Sequence, residues 1–171
     1  MLIARRQLIL LAPLAAALAS CTTVGQVTTS AEVEPERLTT AQIVARINAT
    51  RAANGAPAWS YNPRLASAAK SQAELMASRD QLSHNLGVTL RDRVNKAGYE
   101  GAVGENVAGG QRSLDQAIAG WLASPGHRAT LLSTRFVEFG LAVSRGERKR
   151  DGYGIYWALI AGGSYEAWIE G

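Results

Sequence analysis

The sequence predicts an α+β fold with an antiparallel sheet, because helical patterns fill the first part of the domain and strand patterns the last. Apolar residues recur at helical spacing between residues 40 and 132. Residues 139–144 and 153–161 are instead rich in aromatic and aliphatic side chains, and the charged residues 146–152 join them as a hairpin loop. Helices that precede strands in this way are typical of the α+β class.

The helices are bounded by capping residues and chain breakers. Residues 40–54 form the first, with Ile43 and Ile47 on one face and Asn54-Gly55 as the stop. Residues 63–79 form the second, because Asn62 is a good cap and proline suits the first helical position. Its predicted buried stripe consists of Leu65, Ala68, Ala69, Gln72, Leu75 and Met76.

The later elements are shorter. A helix follows Thr89 as far as Gly98, and another begins at Ser113, which is expected to form a capping box with Gln116. Ser124-Pro125-Gly126 ends that helix, and residues 127–132 are predicted to add one further turn. Residues 104–108 are the candidate for a third strand.

Charge and cysteine content exclude several classes of protein. Removing Arg5 and Arg6 of the leader from the 18 basic residues leaves 16 against 14 acidic residues, or +2. That balance gives no reason to expect a nucleic-acid partner. The one cysteine, Cys21, rules out an intramolecular disulfide, so packing must hold the domain together. The basic cluster of Arg145, Arg148, Lys149 and Arg150 is interpreted as a solvated hairpin tip.

Residues 1–20 are predicted to be a signal peptide. Arg5 and Arg6 give the positive start, and residues 8–19 are an apolar stretch too short to span a bilayer, which needs about 20 residues. The arginine pair is compatible with either general or twin-arginine export. Leu18-Ala19-Ser20-Cys21 resembles the lipobox of bacterial lipoproteins, in which the cysteine is acylated and becomes the new N-terminus. The alternative is ordinary cleavage that leaves a free thiol.

The lipobox resemblance implies a protein anchored to the bacterial cell envelope by lipid on Cys21. Thr22, rather than aspartate, follows the cysteine, which by the same resemblance favours the outer membrane over the inner one. Polar residues without periodicity follow, so residues 21–38 are predicted to be a flexible tether and residues 39–171 the folded domain.

Three polar residues at element ends are the candidate functional site. His84 and His127 are the only histidines, and Glu105 lies between them in a glycine-rich stretch. Two imidazoles and a carboxylate are one known set of zinc ligands with an open position, and they can also serve as acid and base groups. Their wide spacing does not form a compact metal motif, so unrelated surface or capping roles stay open. Asn106 and Arg128 are candidates to brace the site.

Several segments together resemble the CAP superfamily, which comprises cysteine-rich secretory proteins, antigen 5 and plant pathogenesis-related proteins. The resemblance covers about residues 40–162 and is carried by INATRAANG (47–55), LSHN (82–85), GENVAGG (104–110), WLASPGHR (121–128), FG (139–140) and YW (156–157). It implies a three-layer α-β-α sandwich with a central sheet. It also implies a cleft with two histidines and two acids, of which His84, His127 and Glu105 match three. Ser124 stands where the second glutamate would be expected, as in a reduced bacterial form of the site.

Three functions are therefore compatible with the sequence. The resemblance favours a binding module in which His84, Glu105 and His127 hold zinc or another divalent cation and the cleft contacts a lipid, peptide or cell-wall ligand. A hydrolase would use the same three residues to activate water, but the missing second acid disfavours metal-independent acid/base chemistry. In a purely structural module the polar residues would only cap helix ends. No residue is assigned a catalytic role with certainty, and no further cofactor is implied.

Overall fold

The computed structural model describes residues 34–147, 149 and 151–169. The predicted leader, Cys21 and most of the predicted tether lie outside the described residues, as do Arg148 and Arg150. The elements in chain order are α1 (Thr40–Ala53), β1 (Ser60–Tyr61), α2 (Pro63–Arg79), α3 (Leu90–Lys96), β2 (Ala102–Gly109), α4 (Leu114–Ala123), α5 (Pro125–Leu132), β3 (Glu138–Arg145) and β4 (Ile155–Gly163). Within the described residues, no helix is long and apolar enough to cross a membrane.

The sheet has four strands in the order β1-β3-β4-β2. The predicted hairpin is confirmed, since β3 pairs antiparallel with β4 and β2 pairs antiparallel on the other side of β4. The sheet is nevertheless mixed and not purely antiparallel, because the two residues of β1 pair parallel with β3. β2 is an edge strand, which matters for the position of the site.

Two hydrophobic cores lie on the two faces of this sheet. On one face α1, α4 and α5 contribute Ile47, Trp121 and Leu131 among others, and these pack against Trp157 and Leu159 of β4. On the other face α2 and α3 pack against the alternate β4 side chains, which are Tyr156, Ala158 and Ile160. The α+β class is confirmed, and helices on both faces make the three-layer α-β-α sandwich that the resemblance implied.

Helix caps follow the sequence closely. Asn62 caps α2 by accepting hydrogen bonds from the N–H groups of Arg64 and Leu65, and α2 has the predicted bounds. α1 is followed by Asn54 and then Gly55, whose φ of +74° is the predicted left-handed stop. Ser113 also caps its helix, but only half of the predicted capping box forms. The Gln116 side chain instead accepts a hydrogen bond from the N–H of Arg112.

The start of the described chain lies against the hairpin. Residues Pro35–Arg37 form a 3-10 helix in which Pro35 is buried. Arg145, from the predicted basic cluster, forms salt bridges with Glu36 and Glu34. The described part of that cluster therefore includes one arginine that joins the end of β3 to the residues just before α1.

Candidate functional site

The three predicted residues come from three separate elements at the open edge of the sheet. Glu105 is in the middle of β2, the edge strand. His84 lies in the loop between α2 and α3, on one face of the sheet, and His127 is in the first turn of α5, on the other. The centroids of the two imidazole rings are 6.1 Å apart. The structure thus brings His84, Glu105 and His127 together although 42 residues lie between the two histidines in the sequence.

Glu105 is held from two sides. His84 Nδ1 lies 2.9 Å from Glu105 Oε2, and Arg93 Nη2 donates to Glu105 Oε1 at 2.6 Å. The side chains of Glu105 and Arg93 are 2% and 1% exposed, whereas that of His84 is 56% exposed. Because a carboxylate only accepts hydrogen bonds, His84 Nδ1 must carry the proton, which leaves Nε2 as the nitrogen available to a ligand.

Arg93 also fixes the loop that carries His84. Its Nη1 donates to the carbonyl of Val88 at 2.7 Å and to that of His84 at 3.4 Å. The buried side chain of Gln72 on α2 donates to the carbonyl of Ser83. The backbone on both sides of the His84 ring is therefore tied to the helices beneath it.

Asn106 holds His127 from the opposite face of β2. Its amide nitrogen donates to the His127 carbonyl at 2.8 Å, and its side chain is fully buried. Successive strand residues point to opposite faces, so Glu105 reaches the α3 layer while Asn106 reaches α5. The predicted bracing role of Asn106 fits this contact, whereas Arg128 contacts Asn54 of the α1 end instead.

The pKa values of the two histidines move in opposite directions. The hydrogen bond to Glu105 raises the pKa of His84, and this outweighs the opposing effect of burial. Burial lowers the pKa of His127, and the positive charge of His84 lowers it further. The site therefore combines one imidazole whose pKa is raised with one whose pKa is lowered.

Buried polar atoms without partners concentrate around this site. Gln72 Oε1, Arg93 Nε and Asn106 Oδ1 have no hydrogen-bond partner in the described part of the chain. Each belongs to a residue that holds a histidine backbone or Glu105 in place. Three of the four such atoms in the described residues therefore belong to side chains that support the site.

Two of these supporting residues were not identified from the sequence. Arg93 precedes the buried Val94 in a helix of seven residues, which is too short to show which face is buried. Gln72 does lie in the predicted buried stripe of α2, so a polar residue in an apolar stripe was the available signal. Ser124, at the position expected for a second acid, precedes α5 and caps it without a side-chain hydrogen bond.

No group of three or more His, Cys, Asp or Glu residues in the described chain is arranged to hold a metal ion. At this site Arg93 and His84 contact the two oxygens of Glu105. Neither His84 Nε2 nor a ring nitrogen of His127 has a hydrogen bond in the described residues. The two imidazoles are thus the groups open to a ligand.

The family model for the cysteine-rich secretory protein family, CAP, matches residues 44–160. This chain belongs to that family. The matched segment contains all of β2, α4 and α5 and the three site residues, so the site lies wholly within the shared CAP domain. No curated protein is significantly similar to the chain.

Solved structures with the same fold come from bacterial surface and secreted proteins. An extracellular protein containing an SCP domain from Bacillus anthracis is 25% identical, with a TM-score of 0.61 over 72% of this chain and 40% of that chain. An outer surface protein from Borrelia burgdorferi is 21% identical, with a TM-score of 0.61 over 71% of this chain and 90% of that one.

A third CAP structure is a cysteine-rich secretory protein from Staphylococcus aureus. It is 24% identical, with a TM-score of 0.52 over 71% of this chain and 37% of that chain. The present chain therefore spans well under half of the Bacillus and Staphylococcus proteins but nearly all of the Borrelia protein.

Proposed function

We propose that this protein is an envelope-anchored binding module whose cleft holds a divalent cation, zinc in the first instance, between His84 and His127. The observation that carries the proposal is the hydrogen bond of His84 Nδ1 to Glu105 Oε2 at 2.9 Å, with Arg93 on the other carboxylate oxygen. A carboxylate that accepts from one ring nitrogen orients the imidazole and leaves the other nitrogen for a metal.

The residues present fit this role with one change from the set expected from the sequence. Imidazole nitrogen suits zinc, and two imidazoles that share a zinc ion at N–Zn distances of about 2.0–2.1 Å have ring centres roughly 5–6 Å apart. The observed ring-centre separation of 6.1 Å is close to this range. The sequence suggested Glu105 as a third ligand. In this proposal Glu105 instead hydrogen bonds to His84 Nδ1 and does not contact the cation.

A cation held only by His84 and His127 keeps coordination positions open for a molecule that the protein binds. A bound divalent ion attracts oxygen donors such as phosphate, carboxylate or carbonyl groups, which lipids, peptides and cell-wall polymers all carry. The extracellular and outer-surface relatives support a place in the cell envelope. Lipid on Cys21 would anchor the protein there, in the outer membrane according to Thr22.

Hydrolysis is less well supported. The Glu105 carboxylate would have to act as general base, but its side chain is 2% exposed and both its oxygens are engaged. No second carboxylate forms a hydrogen bond with His84 or His127 in the described residues. A turnover assay on peptides and peptidoglycan with wild type and Glu105→Gln tests this alternative, and equal rates would remove Glu105 from any mechanism.

Calorimetric titration of the purified protein with zinc tests the proposal. We expect one site that the double substitution His84→Ala, His127→Ala abolishes, and about a tenfold or greater loss of affinity in Glu105→Gln, because the outer carboxylate no longer orients His84. Glu74→Gln, which alters an exposed carboxylate on α2, is the matched control and should bind normally.

Unchanged zinc binding in the double variant would exclude this site. The thermal stability of each variant separates the purely structural alternative. If the histidine substitutions lower stability while wild type takes up no zinc at all, the polar cluster serves only to hold α3, β2 and α5 together.

A further inference from the structure

The segment that follows β4 exposes three large apolar side chains within five residues. Glu166–Trp168 form a 3-10 helix after β4, and Tyr165, Trp168 and Ile169 are all exposed. Trp168 is 43% exposed, whereas the other three tryptophans of the chain, at positions 59, 121 and 157, are buried. This segment lies outside residues 44–160, the part of the chain that the family model matches.

Two arginine side chains lie close to the aromatic rings of this segment. The guanidinium of Arg135 lies 4.8 Å from the centre of the Trp168 ring, and that of Arg91 lies 5.7 Å from the Tyr165 ring. A groove of about 610 Å³ runs from Trp168 along the outer side of α5 to Arg128. Its lining contains two arginines and no acidic residue, while Glu166 is the one acidic side chain of the described segment itself.

We propose that this surface, defined by Tyr165, Trp168 and Ile169 with Arg128 and Arg135, docks the domain onto an anionic phospholipid bilayer. Tryptophan and tyrosine favour the interface between headgroups and acyl chains, where one part of the ring is apolar and the other wet. Arginines at the rim of such a patch attract the phosphate groups of anionic lipids. Shallow, open and cationic, the surface complements a flat anionic layer.

The chain outside the described residues is long enough for this contact. Thirteen peptide units separate Cys21 from Glu34, and at about 3.3–3.6 Å per residue they span at most roughly 45 Å. Glu34 joins the domain near Arg145, whereas the docking surface is at the opposite end of β3 and β4. A lipid on Cys21, as proposed above, would therefore hold the docking surface within reach of the same bilayer.

Vesicle binding by the polypeptide from Thr22 onward, which has no lipid and contains the whole folded unit, tests the docking surface separately from the anchor and from the cation cleft. We expect sedimentation with vesicles containing phosphatidylglycerol and little with pure phosphatidylcholine, and loss of binding when salt is raised from about 0.05 M to 0.5 M. Because Trp168 is the exposed tryptophan, its emission should shift to the blue and become protected from acrylamide on binding.

Substitutions locate the contact. Trp168→Ala and Ile169→Ser should each weaken binding by about tenfold, and Arg135→Gln by about fivefold, the effect typical of one arginine near an anionic surface. Tyr153→Ser changes an exposed aromatic residue at the other end of β4, and Arg79→Gln an exposed arginine at the end of α2, and both should bind as wild type does.

Three results would overturn the proposal. They are absence of binding to the anionic vesicles, binding that Trp168→Ala and Arg135→Gln leave unchanged, and binding without any shift in tryptophan emission. A partner protein would be indicated instead if Trp168→Ala abolished capture of an envelope protein while vesicles failed to bind wild type.

Discussion

Glu105 connects a fully buried arginine with a half-exposed histidine. Its side chain and that of Arg93 are almost completely removed from solvent, so their ion pair is weakly screened. The same carboxylate hydrogen bonds to His84, which faces solvent. The buried carboxylate of Glu105 therefore raises the pKa of an imidazole at the surface.

The first prediction concerns the titration of the two histidines. Because the chain has no others, NMR of the imidazole carbons gives two titrating signals. We expect the pKa of His84 above its ordinary value of 6.5 and that of His127 below its ordinary value of 6.5. In Glu105→Gln the pKa of His84 should fall, because the neutral amide no longer favours the imidazolium.

Two outcomes bear on this prediction. Glu74→Gln should leave both signals as in wild type. A His84 pKa that does not change in Glu105→Gln would show that the hydrogen bond does not form in solution.

The raised pKa of His84 also fixes the direction in which pH changes the stability of the protein. His84 contributes fully to stability below its unfolded pKa of about 6.5, and the contribution is lost as pH rises through the folded pKa. Because the ring is 56% exposed, that contribution is small.

At the residue scale, the sequence identified the solvent-facing members of the site but not the buried charges behind them. His84 and His127 were conspicuous as the only histidines, placed at element ends. Arg93 and Arg51 are buried, yet arginines in short or weakly amphipathic helices are usually interpreted as exposed. For Arg51 there was a signal, since it lies four residues after Ile47 and eight after Ile43, on the same buried stripe of α1.

At the scale of elements, α1 and α5 are joined by Arg51. Its guanidinium lies 3.6 Å from the centre of the Trp59 ring and donates hydrogen bonds to the carbonyls of Pro57, Leu131 and Ser133. Leu131 and Ser133 are at the C-terminal end of α5, where a positive charge is favoured by the helix dipole. Burial lowers the pKa of Arg51 to about 10, so it remains protonated at neutral pH.

Arg51→Met is therefore predicted to lower the free energy of unfolding by about 3–5 kcal/mol, because the buried carbonyl of Leu131 and the partly buried hydrogen bonds to Pro57 and Ser133 lose their donor. Urea unfolding measures the change. Arg46→Met, on the same helix, is the control. Arg46 forms an exposed salt bridge with Asp115, so its loss should cost under about 1 kcal/mol. Equal effects of the two substitutions would contradict the assigned role of Arg51.

The contact of α2 with β3 depends on a glycine. A Cβ atom at Gly140 would lie 2.0 Å from the backbone nitrogen of Ala66 and 2.3 Å from the carbonyl carbon of Leu65. Neither is a flexible side-chain end, so the helix would have to move off the sheet. Because α2 also carries Gln72, which holds the His84 loop, the displacement would reach the site.

We predict that Gly140→Ala destabilises the protein by at least about 3 kcal/mol or prevents soluble expression, as overpacking against backbone does at its most severe. Gly120→Ala in α4 is the control, since a Cβ there meets nothing within 4 Å. Alanine favours helix over glycine by up to about 1 kcal/mol, so thermal unfolding should show this variant at or above wild type. A Gly140→Ala protein as stable as wild type would disprove the close helix-sheet contact.

At the scale of the whole molecule, the fold could be predicted from local signals wherever the chain has them. α2 was predicted with its bounds because its signals are close together in the sequence. They are the capping residue Asn62, Pro63 at the first helical position and the apolar stripe. β1 was not predicted, since two residues carry no periodicity and become a strand only by pairing with β3. α5 is longer than the single predicted turn, because Pro125 begins the helix where the sequence suggested only a break. Convergence of His84, Glu105 and His127 depended on the tertiary fold, so residue type and placement left it open and the family resemblance was what favoured it.

The attachment to the envelope proposed above would have two contributions, lipid on Cys21 and the docking surface, and one experiment can distinguish them. Lipid on Cys21 would partition the wild-type protein into the detergent phase of a Triton X-114 extract, and salt would not remove it. We predict that Cys21→Ser moves the protein to the aqueous phase and eliminates the acyl mass at the mature N-terminus. The cleft should still bind zinc as before, because the cysteine lies outside the folded unit.

The Cys21→Ser variant can still show residual membrane association. If salt removes this association, and Trp168→Ala also removes it, the association would come from the docking surface. Detergent partitioning that persists in Cys21→Ser molecules whose leader has been removed would rule out the lipid anchor.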